Sequence, residues 1–156
     1  MQGTVAEAIE RATLEVFALM VGVDIVPEIP PPASRKSSES SVVSSFRLSG
    51  AVCGTAEVHY TLPLATRVTC KMLQVDPPVA VSEVLDAAGE VANMIVGNVK
   101  NSLESRGGVI RIGTPTVSLA GDEGTVTHSM RVSFRCCDEV FTVSVAFQED
   151  PRRWEN

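Results

Sequence analysis

Between Asp76-Pro77-Pro78 and Gly107-Gly108 the chain carries one uninterrupted helical pattern, and that stretch constrains the fold more than any other feature. The prolines bar a helix on one side, the glycine pair stops it on the other, and Ser82 is a capable N-cap. A helix is therefore expected from about Ser82 to Gly107-Gly108. Stepping its residues at 100° gathers Val84, Ala88, Val91, Ala92, Ile95 and Val99 into one arc, bordered by Leu85, Val96 and Leu103. At a rise of 1.5 Å per residue such a helix is roughly 35 Å long, so its apolar arc needs an equally long surface to cover it. A sheet beneath the helix meets that need.

The rest of the chain supplies the sheet. Val42, Phe46 and Leu48 end at Ser49-Gly50, and Ala56, Val58, Tyr60 and Leu62 alternate with Thr55, Glu57, His59 and Thr61. Further strands are expected around Thr116 to Leu119, Val126 to Cys136 and Val140 to Phe147. Within the Val126 run, Met130, Val132 and Phe134 alternate with Ser129, Arg131, Ser133 and Arg135, the pattern of a sheet with one wet face. Cys137-Asp138-Glu139 then joins the last two strands as an antiparallel pair. A first helix spans Thr4 to Met20, with Val5, Ala8, Ile9, Ala12, Val16, Leu19 and Met20 at helical spacing. A shorter one opens at Pro63 and runs to Leu73. The segment from Pro27 to Ser41, with four prolines and a run of serines, reads as a flexible loop. Residues 1–150 form one domain on this reading, and 151–156 a frayed tail in which Trp154 is available as a late packing contact.

The pattern also repeats weakly. Glu15 to Gly22 aligns without a gap on Glu90 to Gly97, and each copy is followed by a loop and a strand pair. Two helix-plus-hairpin halves sharing one sheet would account for this, giving an α+β (α/β) fold with helices on one face.

Charge narrows the function classes. With 13 Lys+Arg against 19 Asp+Glu the chain carries a formal net charge of -6, which opposes nucleic acid and anionic membrane as partners. No apolar run reaches the length of a membrane helix and the N-terminus lacks a basic-then-apolar leader, so a cytoplasmic protein with reduced thiols is expected. Cys53, Cys70 and Cys136-Cys137 lack the spacing that holds zinc, and no metal site is expected. His59 and His128 have no Ser or Cys partner nearby in sequence and read as surface or edge residues, and no phosphate-binding glycine loop is present.

The chemistry lies on the far side of the long helix. Asp86, Glu90, Asn93, Gly97, Lys100 and Glu104 follow one another at offsets of four and three and fall in one narrow stripe. A solvated face laced with i,i+4 charge pairs is the ordinary meaning of such a stripe. Two of its members argue for more. Gly97 costs about 1 kcal/mol relative to Ala inside a helix, so its missing side chain suits an approaching surface. Asn93 is a poor mid-helix residue where Glu, Lys or Gln would serve. A carboxylate and a carboxamide three residues apart can bind a partner's cation and orient a water. Neither is a strong nucleophile, so such a site works on a group carried by something else.

The run Asp86-Ala87-Ala88-Gly89-Glu90-Val91-Ala92-Asn93-Met94-Ile95-Val96-Gly97-Asn98 resembles the signature helix of the CheX/CheC/FliY family of chemotaxis phosphatases. That pattern has Asp or Ser, Glu four residues on, Asn three further, and a proline about twenty-two residues later, where Pro115 stands here. The Ser49-Gly50-Ala51-Val52-Cys53-Gly54 turn and the Ala65 to Leu73 helix are also similar to the family, and the likeness extends from about Val42 onward. It implies an antiparallel sheet of about six strands and the hydrolysis of the aspartyl phosphate of a CheY-like response regulator. Glu90 would pair with a regulator lysine and Asn93 would hold the attacking water. Asp86, Gly97 and Lys100 would be further partner contacts, and the regulator would bring its own Mg²⁺, leaving this chain without a cofactor. Such a division of labour suits phosphoryl transfer, where positioning and charge stabilisation dominate. The earlier copy has Glu15 but Ala18 at the amide position and Arg11 opposite Asp86, so one stripe per chain is expected. That resembles CheX, and with it a homodimer joined through the sheets. The alternative is an adaptor or dimerisation module of the same shape that binds without accelerating hydrolysis.

Overall fold

The computed structural model describes residues 2–28, 41–105, 107–120 and 130–147. They form helices α1 (Gln2–Val16), α2 (Leu62–Leu73) and α3 (Val81–Glu104). The strands are β1 (Val26–Pro27), β2 (Ser41–Gly50), β3 (Gly54–Thr61), β4 (Ile110–Ile112), β5 (Thr116–Ala120), β6 (Met130–Cys136) and β7 (Glu139–Phe147). All strand pairs are antiparallel, in the order β1-β6-β7-β3-β2-β4, with β5 also on β2 beyond β4. This is the expected α+β sheet with one strand more than the six anticipated. The two shortest strands, β1 and β4, are too brief to leave an alternating pattern.

The anticipated halves are present, and they exchange their edge strands. Each consists of a helix (α1 or α3), a short edge strand or pair (β1, or β4 with β5) and a hairpin (β2·β3 or β6·β7). The hairpins meet at β3·β7, while β1 crosses to β6 and β4 and β5 cross to β2. Each half thus edges the other.

Register explains why one face is packed. Phe46, Ala56, Val145 and Met130 stand in one cross-strand row, and Ser44, Val58, Val143 and Val132 in the next; α1, α2 and α3 cover them. Val5, Ile9, Val16, Leu64, Val68, Val91 and Ile95 complete this core. The other face carries the rows Val43-His59-Thr142-Ser133 and Ser45-Glu57-Ser144-Arg131. His59 is on the polar side as expected, but it is buried mid-sheet with Nε2 3.5 Å from Glu57 Oε1, because neighbouring strands on both sides shield it.

Several boundaries differ from the sequence reading. Ala80, not Ser82, is the N-cap of α3, in extended backbone with no side-chain bond, and Ser82 lies inside the first turn. Pro27 and Ser41, the ends of the expected loop, are strand residues, and Glu28 is tied to β6: its N–H donates to the Ser133 carbonyl and its carboxylate takes two bonds from Arg135, at 2.7 and 3.1 Å. The body of that loop, residues 29–40, lies outside the described residues, as do Val126, His128, Trp154 and the 151–156 tail. The first helix changes pitch to a π turn at Phe17–Val21 and stops at Gly22, whose left-handed backbone (φ 78°) lets its N–H reach the Phe17 carbonyl.

Candidate functional site

Helix α3 lies across the sheet against both α1 and α2, with Val84, Ala88, Val91, Ala92, Ile95, Val96, Val99 and Leu103 buried, as the 100° spacing requires. Its opposite face divides in two. In the N-terminal half, Asp86, Glu90 and Asn93 are exposed, and among the described residues Glu90 and Asn93 make no hydrogen bond or ion pair. Three residues separate them, so they stand about 60° apart around the helix and roughly 4.5 Å apart along it. Glu83 adds a further exposed carboxylate one turn earlier.

The C-terminal half is engaged in the fold. Lys100 Nζ lies 3.0 Å from Glu104 Oε1, while Glu104 Oε2 accepts the Ile110 N–H at 2.8 Å. The Ile110 N–H foremost, and Lys100 after it, hold the Glu104 carboxyl below its usual range. Glu104 thus joins α3 to β4, with Lys100 steadying it from one turn away while remaining a cation at the end of the stripe. Gly97 is half-buried, and a side chain built there would meet nothing within 4 Å, so the space above it is open.

Two positioning features were missed by sequence reasoning. Gly89, next to Glu90, is buried, and a Cβ there would stand 2.9 Å from Val117 Cγ2 of β5. The Ala87-Ala88-Gly89 run of small residues was the available signal of close helix packing. Tyr60 donates its hydroxyl to the Ala88 carbonyl across 3.4 Å, tying β3 to α3, and burial raises its phenol above the ordinary value. Pro115, noted only for its spacing, is half-buried between β4 and β5. There the β2 partner changes from Leu48 (to Ile112) to Ser45 (to Thr116), and the missing N–H costs no ladder bond.

The earlier copy is built differently. Glu15 and Ala18 are exposed, but Ala18 lies in the π turn, where wider pitch takes it off the stripe geometry, and it has no amide to offer. Among the described residues no group of three His, Cys, Asp or Glu stands ready for a metal ion. All four thiols are free, and burial first, then neighbouring Cys137, pushes the Cys136 thiol up to about 11. Among the described residues no helix is long and apolar enough to cross a membrane. Chemically, the exposed trio can pair with a cation and hold a water through the amide, and nothing in it can attack a substrate directly.

Comparison with known proteins gives this geometry a context. No curated protein matches the chain in sequence. Among solved structures, a chemotaxis protein CheX from Desulfovibrio desulfuricans is 26% identical with a TM-score of 0.73, covering 92% of this chain and 99% of that one. A chemotaxis protein from Desulfovibrio vulgaris Hildenborough is 28% identical with a TM-score of 0.75, covering 92% and 96%. CheX of Borrelia burgdorferi, solved in complex with CheY, BeF3 and Mg²⁺, shares the fold at 20% identity and a TM-score of 0.73, covering 92% of this chain and 97% of that one. The family model for the chemotaxis phosphatase CheX matches residues 42–138, a span that holds α3, its stripe and Pro115, and the chain belongs to that family.

Proposed function

We propose that this chain hydrolyses the aspartyl phosphate of a CheY-like response regulator, with the N-terminal half of the α3 stripe as its docking and catalytic surface. The observation that carries the reading is the exposed pair Glu90 and Asn93, without a partner among the described residues and one turn apart on a helix whose other side is packed. The Glu90 carboxylate pairs with a lysine of the regulator and fixes the approach. The Asn93 carboxamide oxygen accepts a hydrogen bond from water and aims it at phosphorus, opposite the P–O bond to the aspartyl oxygen. That bond breaks, inorganic phosphate leaves and the regulator's carboxylate is restored. The regulator contributes the Mg²⁺ that neutralises charge on the phosphoryl oxygens, so this chain needs no cofactor of its own. The Borrelia CheX held with CheY and a BeF3 group supports the kind of partner.

Asp86 is a second acidic contact, Gly97 leaves room for the regulator's surface, and Lys100 contributes at the edge what its bond to Glu104 leaves free. The protein acts in the cytoplasm as a homodimer joined through its sheets. Decay of a phosphorylated CheY-like protein, measured with and without this chain and with Asn93→Ala, tests the catalytic reading. Faster decay that the variant abolishes supports it. Unchanged decay with retained binding gives the adaptor instead.

A further inference from the structure

The two glycines of α3, about 80° apart around the helix, meet different surroundings. Gly97 opens onto space, whereas Gly89 is pressed against the Val117 side chain of β5 at a point where even a methyl group would stand 2.9 Å from Cγ2. Carbon atoms pack at about 3.5 to 4.0 Å, so any side chain at 89 forces helix and strand apart by roughly 1 Å unless Val117 gives way. Glycine here costs about 1 kcal/mol of helix propensity relative to Ala. The close seat is what that glycine permits. Glu90 follows it directly and Asn93 stands one turn on, so the contact sets the height and rotation of both. Val117 is in turn placed by Pro115 and by the pairing of β5 with β2, in which Val117 stands opposite Ser44.

We infer that Gly89 is a positioning residue for the stripe: seating α3 on Val117 holds Glu90 and Asn93 at the height where one reaches the regulator's lysine and the other its phosphoryl group. This inference rests on the phosphatase reading above. Displacement of about 1 Å is enough to cost a catalytic group up to a hundredfold in rate, whereas a salt-bridging carboxylate on a longer side chain adapts more easily.

The test is a cycle of Gly89→Ala, Val117→Ala and the double variant. Maximal dephosphorylation rate and half-saturation are measured with a phosphorylated CheY-like protein, beside thermal unfolding of each variant. Gly89→Ala is expected to lower the maximal rate about tenfold or more and affinity about threefold, and trimming Val117 is expected to restore the double variant to within about threefold of Val117→Ala alone. Rescue separates positioning from general damage, because trimming two methyl groups from Val117 would otherwise make matters worse. An active Gly89→Ala, or a double variant as slow as the single, overturns the inference while leaving the phosphatase reading intact. Should the wild-type chain itself fail to speed decay, that reading falls, and Gly89 is then judged on affinity for the beryllofluoride-bound regulator: loss in Gly89→Ala with recovery in the double variant supports positioning, and no loss overturns it.

Discussion

Asn93 and Glu90 lose different things when truncated, which makes them separable. On the proposed mechanism the amide meets only water and the reacting group, so Asn93→Ala is expected to cut turnover on the order of a hundredfold while changing affinity little, in line with the loss of one preorganised polar group. On the same proposal the carboxylate makes a charge-assisted contact in the ground-state complex as well, so Glu90→Ala is expected to weaken binding by about tenfold or more besides slowing the reaction. Titration of binding to a beryllofluoride-activated regulator, set against single-turnover decay, distinguishes the two, and equal affinity losses in both variants would contradict the assignment. At this scale the stripe could be read from the sequence because three- and four-residue offsets need only helix geometry. What could not be read was which members were already spoken for: Glu104 finds its second partner in Ile110, six residues away and beyond the helix end.

Helix α3 is fastened at two places, around residues 88–89 and at its C-terminal turn. Tyr60 and Val117 hold the middle, and the Glu104 clamp joins the C-terminal turn to β4. Since the Glu104 carboxyl is held below its ordinary 4.5, the folded state prefers it ionised, and the stabilisation is complete above that value and lost as pH falls through the lower folded one. Denaturant unfolding should therefore show Glu104→Gln less stable than wild type at neutral pH, with the gap closing as both are brought into the acid range. A gap that persists after Glu104 is protonated would place the effect in packing instead. The N-cap of α2 offers a parallel case: the Thr61 hydroxyl accepts the Leu64 N–H at 3.2 Å ahead of Pro63, and Thr61→Ala is expected to cost about 1 kcal/mol of stability. Helix bodies were readable from apolar periodicity, and Pro63 placed the start of α2 to within one residue, but the start of α3 was not readable. Ser82 offered a capping hydroxyl that the chain does not use: the helix begins two residues earlier, with the Val84 N–H bonded to the Ala80 carbonyl.

Across the whole molecule, the feature hardest to foresee is the exchange of edge strands, since Val26-Pro27 and Ile110–Ile112 carry no signal of their own and are strands only because the other half's hairpin presents an edge to them. Exchange makes the halves interdependent, and the aromatic centre reinforces it. Phe141 of β7 stacks on Phe17 of the π turn (4.8 Å), on Tyr60 of β3 (5.9 Å) and on Phe134 of β6 (5.2 Å), so rings from both halves meet on one side chain. All four are fully buried, and Tyr60 is also the residue that reaches α3. Phe141→Ala is therefore expected to cost about 3–5 kcal/mol and to loosen both halves together. Fluorescence and circular dichroism followed through denaturant unfolding should shift in parallel and keep one transition. A variant in which one hairpin melts ahead of the other would show that the halves are merely adjacent, and that the stripe on α3 stands on the second half alone.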